Sequence, residues 1–359
     1  MRCQTTERLS SNQACEFKHA YFDPPTSGSA GWQRLKKTAN DQMRKSELVP
    51  CAYSDARQRM NRDSNYPRFL YKYRRATAQH LEPLLLESTF YLSSREQFND
   101  PFDASCIVTV NGDWRKRAER LSAMKRNARA GGAKMNLGIR HRLELHRDML
   151  DPERAQARIQ RAYDKNASEY GIYSMGETPR SLLMWAHYAE SHTGVCLGFY
   201  VPADPEVFAH ALPVRYSEDY PTVEWTEFDK ANAIQTLLTK SKEWEYEQES
   251  RILLAHSAFH KLAVAQASLA SVIFGARCSR DSERLVMQLL KRRVTAGHPM
   301  PVLMRAHLAP QKYSIGIFSL DRRPSVAWKG RPASIRPRRQ YDAVHGEEPL
   351  EGDSGEGRT

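Results

Sequence analysis

Apolar side chains recur in short, regularly broken blocks between about Tyr66 and Leu320 and thin out on either side. Phe69-Leu-Tyr-Lys-Tyr-Arg74 mixes apolar and aromatic positions as a strand does. Thr77 is placed to cap a helix carrying Leu81, Leu84, Leu85 and Leu86, which tolerates Pro83 only in its first turns. Further strands are predicted at Thr89-Phe-Tyr-Leu-Ser93 and Ile107-Val-Thr-Val110, with Asn111-Gly112 as a turn. Others fall at 171–175, 194–200, 212–216 and 251–255, and 271–308 reads as strand, helix, strand. Short strands separated by irregular helical segments predict an α+β fold rather than a regular βαβ array.

Two segments break this pattern in ways that matter for chemistry. Arg180 to Ser191 fits one helix, with Leu182, Leu183, Trp185, Ala186 and Ala189 on its buried side and Gly194 ending it before the next strand. His187 and His192 are five apart and so point in different directions, whereas a helical metal pair needs a spacing of four. In Lys240-Ser-Lys-Glu-Trp-Glu-Tyr-Glu-Gln-Glu-Ser-Arg251, Glu243, Glu245, Glu247 and Glu249 alternate at period two. In an extended chain they share one face, where four carboxylates repel unless cations or substrate hydroxyls neutralise them. Such a strand is either a solvated edge that discourages pairing or a strand delivering Glu247 and Glu249 to a cleft with Arg251 as ion partner. The interleaved Trp244 and Tyr246, which anchor the opposite face, favour the cleft. Asn99-Asp-Pro-Phe-Asp103 makes a turn, or a rigid loop that brings Asp100 or Asp103 near these acids.

Composition sets the outer bounds. The 359 residues carry 54 Lys and Arg against 42 Asp and Glu, a formal charge of +12. Residues 115–165 alone hold 15 Lys and Arg against 6 Asp and Glu, with a thin apolar stripe at Leu143, Leu145, Met149 and Leu150. A basic helical insert at 114–168 is the simplest reading. Residues 1–65 read as a disordered or weakly helical tail and 321–359 as a disordered one, flanking a single domain at 66–320. The six cysteines lie far apart without a CxxC pair, which excludes a disulfide scaffold or zinc knuckle. No apolar run is long enough to span a membrane, and MRCQTTERLSSNQ has no apolar signal core, so a cytoplasmic protein is expected. The ordered body contains no Walker loop, GxGxxG, HExxH or GxSxG.

The blocks LYKYR at 70–74, FNDPFD at 98–103, LLMWAHYAESHTGVCLGF at 182–199, KSKEWEYEQESRIL at 240–253 and VIFG at 272–275 resemble, in this order, the bacterial domain of unknown function 2971 family. Ser250 departs from that pattern, where an aromatic is usual, and the basic insert and both tails lie outside it. A more distant similarity is to the ADP-ribosyltransferase superfamily of the Arg-Ser-Glu type, in which one strand presents Arg, a later one Ser, and a third begins with Glu-x-Glu. Arg74, Ser174 and Glu247-Gln-Glu249 occupy those places here.

This resemblance implies two small antiparallel sheets around a cleft, with NAD as substrate. Glu249 would bind the ribose and face its developing positive charge. Glu247 would orient the acceptor and Ser174 would brace the catalytic Glu, making these three the catalytic set. Arg74 would hold the phosphates. Tyr73 or Tyr188 would stack on nicotinamide, with His187 beside them in the cofactor-binding set. Glu249→Gln should then leave folding intact while removing NAD turnover.

Two rivals remain at this level. One is a metal-dependent nucleic-acid phosphodiesterase using Asp100, Asp103, Glu247, Glu249 and Lys240. The other is a non-enzymatic module binding nucleic acid or a partner through the basic insert. The insert also points to an anionic acceptor, such as nucleic acid, for the transfer reaction.

Overall fold

A computed structural model describes residues 42–43, 67–111, 113–130 and 139–320. Of the expected N-terminal tail it describes Gln42–Met43, a two-residue strand parallel to Lys261–Leu262; the rest of 1–65, and 321–359, lie outside the described residues.

Eight strands form the main sheet: β1 (Phe69–Arg74), β2 (Gly171–Gly176), β3 (Val195–Tyr200), β4 (Ala211–Pro213), β5 (Glu249–Leu254), β6 (Leu269–Phe274), β7 (Val302–Leu308) and β8 (Ile315–Ser319). Their spatial order is β8-β7-β6-β3-β1-β2-β5-β4. Around the sheet lie α1 (Ala78–Leu85), α2 (Trp114–Ala130), α3 (Ile139–Leu150), α4 (Pro152–Glu169), α5 (Leu182–Tyr188) and α6 (Arg280–Thr295). The fold is mixed α+β.

The pair of small antiparallel sheets is not what these strands build. β6 runs parallel to β7, and all eight strands belong to one sheet. The sheet is nevertheless weakly joined in the middle. β1 pairs with β3 over six residues and β2 with β5 over six, but β1 meets β2 only at Tyr71↔Gly176. Beyond that pair the two strands separate, leaving halves of five and three strands on either side of a gap.

Period-two alternation decides what covers each face. Leu70, Val195, Leu197, Phe199, Val272, Phe274, Tyr173, Met175, Ile252 and Leu254 face one core, closed by Leu81, Leu84 and Leu85 of α1 and Val286, Leu289 and Leu290 of α6. On the other face the halves part company. Tyr73, Cys196 and Ile273 pack under Met184 and Trp185 of α5, whereas Ile172 and Leu253 pack under α2, α3, α4 and the helix Lys230–Leu237. Between those two patches the same face carries Ser174, Glu249 and Arg251, which are polar.

Several predicted elements shift for local reasons. Pro83 sits inside α1, which ends two residues later. The helix expected from Arg180 to Ser191 spans only Leu182–Tyr188, because Glu190, Ser191 and His192 adopt positive φ of 49°, 53° and 70°. The 212–216 segment divides into β4 and a separate short strand, Arg215–Ser217. The acidic segment before β5 is not extended: Lys242–Glu247 form a 3-10 helix and Gln248 turns left-handed at φ 44°. Glu243 and Glu245 are therefore exposed while Glu247 and Glu249 are buried, and the four acids do not share a face.

Candidate active site

The gap between β1 and β2 opens into a cleft of about 510 Å³, a volume in the usual range for small-molecule sites. All seven sequence-predicted residues line it: Arg74 and Tyr73 from β1, Ser174 from β2, His187 and Tyr188 from α5, Glu247 from the 3-10 helix and Glu249 from β5. Lys72, Arg75, His80, Asn99, Asp103 and Lys240 line it as well.

Helix α5 is fixed to the residues that precede it. The Ser181 hydroxyl accepts a hydrogen bond from the Met184 amide at 3.3 Å, and the Trp185 indole donates to the Pro179 carbonyl at 2.8 Å. Trp185 is fully buried and meets Tyr73 edge-on at 5.2 Å. Tyr73 itself is buried, with its hydroxyl donating to the Thr178 carbonyl at 2.8 Å. Its ring is therefore committed to the core, and of the rings expected from sequence Tyr188 and His187 remain for a ligand. Tyr188 is half-buried and His187 exposed.

The floor is a buried ion cluster. Arg251, wholly inaccessible, donates from Nε to Glu249 Oε1 at 2.7 Å, from Nη2 to Glu249 Oε2 at 3.1 Å and Asp103 Oδ2 at 2.6 Å, and from Nη1 to the Leu237 carbonyl at 2.8 Å. Lys240 Nζ reaches Glu249 Oε2 at 3.1 Å and Asp103 Oδ2 at 3.5 Å, bonds Glu247 Oε2, and lies 4.9 Å from the Trp244 ring centroid. The Tyr188 hydroxyl donates to Glu247 Oε1 at 2.7 Å. Three carboxylates thus meet two cations. Asp103 Oδ1 is buried without a hydrogen-bond partner among the described residues.

This arrangement separates the two glutamates electrostatically. Burial alone would raise the Glu249 carboxyl, but Arg251 and Lys240, with the Ser174 hydroxyl, hold it well below the usual carboxylate range. Burial dominates at Glu247 and pushes its carboxyl up, with Lys240 opposing and Glu249 assisting. One site therefore holds a fixed negative charge beside a carboxyl able to take and return a proton.

Sequence reasoning missed Lys72, Arg75 and His80. Lys72 Nζ bonds the Ser174 carbonyl across the gap and sits 4.6 Å from the Tyr173 ring centroid. Its signal, a lysine inside an apolar strand, was available in LYKYR. Of the two aspartates in the 99–103 loop, Asp103 joins the cluster, while Asp100 Oδ1 caps the Phe102 amide at 2.9 Å. Among the described residues, no group of three or more His, Cys, Asp or Glu side chains has the arrangement to hold a metal ion.

A split mixed sheet with a charged cleft at its split defines the class of site. Residues 184–252 match a family described as "Protein of unknown function (DUF2971)". The match runs from α5 into β5, so it includes His187, Tyr188, Lys240, Glu247, Glu249 and Arg251 but neither Arg74 nor Ser174, and is narrower than the 68–275 span of the resembling blocks. No curated protein and no solved structure matches the chain. No helix among the described residues is long and apolar enough to cross a membrane.

Proposed function

We propose that the cleft binds NAD or a closely related nucleotide and breaks its nicotinamide–ribose bond, passing ADP-ribose to an acceptor or to water. The observation that carries this reading is the convergence of Arg74, Ser174 and Glu249, from three separate strands, on one cleft. The weak join between β1 and β2, a single residue pair, is what leaves room for that cleft.

The reaction uses the asymmetry of the floor. The bond between C1′ and the ring nitrogen breaks with its electron pair moving to nitrogen, which turns the cationic pyridinium into neutral nicotinamide. Positive charge develops on the ribose, and Glu249, kept ionised by Arg251 and Lys240, opposes it from a fixed position. Water or the acceptor adds its lone pair to C1′ and gives its proton to Glu247. Tyr188 orients Glu247 and, with His187, offers a ring for the nicotinamide. Arg74 holds the phosphates, and Ser174 braces Glu249. The exposed Arg115, Lys116, Arg161 and Lys165 of α2 and α4 suit an anionic acceptor such as nucleic acid.

The test is nicotinamide release from NAD by the purified full chain. Glu247→Gln should retain the fold and lower turnover by about 10²-fold or more, the scale of lost general acid–base catalysis. No release by the wild type, or equal release by a folded Glu247→Gln variant, overturns the assignment.

A further inference from the structure

The other wall of the cleft is basic, and the floor chemistry does not use most of it. Lys72 and Arg74 point from β1 to the face that α1 covers, Arg75 follows at the strand end, and His80 stands in the first turn of α1. All four line the cleft. Among the described residues neither Arg74 nor Arg75 has an ion-pair partner, in contrast to Lys240 and Arg251 on the floor. The cluster is under electrostatic tension. Burial and then Arg74, with Lys240, hold Lys72 well below its ordinary range, against the pull of Glu249 and Glu247. Partial burial, then Arg74 and Arg75, lower His80, against Glu190. Thr77 Oγ1 holds His80 Nδ1 at 2.6 Å. An anion of charge −2 or more placed among these groups relieves their mutual repulsion and forms charge-assisted hydrogen bonds with them.

We infer that Lys72, Arg74, Arg75 and His80 form a wall for two adjacent phosphates, so that the cleft selects a pyrophosphate-bearing nucleotide over a nucleoside monophosphate or a nucleoside. This deepens the nucleotide reading and rests on it only for the nucleotide part, because the wall stands whether or not the floor cleaves a glycosidic bond. A monophosphate reaches only part of a wall contributed by two elements. A pyrophosphate supplies enough acceptor oxygens for the two guanidiniums, the ammonium and the imidazolium together. Because the bound anion favours protonated His80, binding takes up protons, and affinity falls as pH rises through the His80 titration.

The experiment is calorimetric titration of the full chain with ADP, AMP, adenosine and inorganic pyrophosphate at one salt concentration. ADP should bind at least about tenfold tighter than AMP. Arg75→Ala should weaken ADP by about tenfold and leave adenosine unchanged. His80→Ala should reduce the loss of ADP affinity with rising pH, which sets in below about pH 6.5, since His80 is held under the ordinary histidine value. The wall is refuted if ADP binds no tighter than AMP, or if Arg75→Ala and His80→Ala both bind ADP as the wild type does. Inorganic pyrophosphate binding as tightly as ADP removes the nucleotide from the proposal. Binding of ADP without any nicotinamide release from NAD sinks the glycosidic chemistry and keeps the wall. Release with unaltered ADP binding by both variants does the reverse.

Discussion

Glu249 and Glu247 are two residues apart and have opposite electrostatic fates. Both are buried, but Glu249 is gripped on both oxygens by Arg251 and again by Lys240, whereas Glu247 meets Lys240 and a phenol. Removing one partner of a buried ion pair leaves an uncompensated charge and costs about 3–5 kcal/mol. Glu249→Gln is therefore expected to lower the thermal midpoint clearly, contrary to the intact folding expected from sequence. Glu247→Gln leaves Lys240 with Glu249 and Asp103, so its loss of stability should be distinctly smaller. Circular-dichroism melts of the two variants decide the matter; equal midpoints would mean that the cluster does not hold Glu249 as described. The sequence marked both glutamates and Arg251 correctly as a group. It did not mark Asp103 as the second carboxylate on Arg251, because that contact joins positions 148 residues apart.

At the level of elements, position in the cleft depends on how closely β1 meets the chain leaving α5. A Cβ added to Gly194 would lie 2.2 Å from the Arg74 carbonyl and 3.0 Å from that of Ala189, both backbone atoms that cannot swing aside. Gly194→Ala should push the end of β1 outward and move Arg74, at a cost of a few kcal/mol on the scale of other overpacked sites. Weakened ADP binding together with a lower melting midpoint is the expected outcome. A variant with wild-type affinity and stability would show that Arg74 does not depend on this contact. The sequence placed Gly194 at the end of a helix. The structure instead ends the helix at Tyr188 through three left-handed residues and uses Gly194 for close approach. The period-two run of glutamates does not form an extended face, for a related reason. The alternation was real, but Ser241 caps a 3-10 turn by accepting from the Glu243 amide, and the left-handed Gln248 resets the chain before β5.

Across the whole molecule, the ion cluster ties three regions together: the 99–103 loop through Asp103, the Lys240–Glu247 segment, and β5. This makes stability sensitive to acid. A carboxyl whose folded pKa lies below its unfolded value of about 4.3 contributes stability that is present above that value and lost as pH falls through the folded pKa. Glu249 is such a group, and Glu247, pushed up, acts weakly in the opposite sense. The melting midpoint should fall between about pH 5 and pH 2, and Glu249→Gln should flatten that slope relative to wild type. Parallel pH profiles for the two proteins would contradict the linkage.

Local pattern was enough to set the α+β class, most strand positions and the apolar sides of β1, β3 and β6, because alternation and turn residues act over a few neighbours. It was also enough to nominate Glu247 and Glu249, whereas Arg74 and Ser174 came from the resemblance to the ADP-ribosyltransferase superfamily. Only the folded chain decided that the strands make one sheet held at its middle by a single residue pair, since strand order depends on which distant segments bury each other. The same long-range packing set the ionisation of the glutamates and assembled the basic wall, because charge and desolvation act through space.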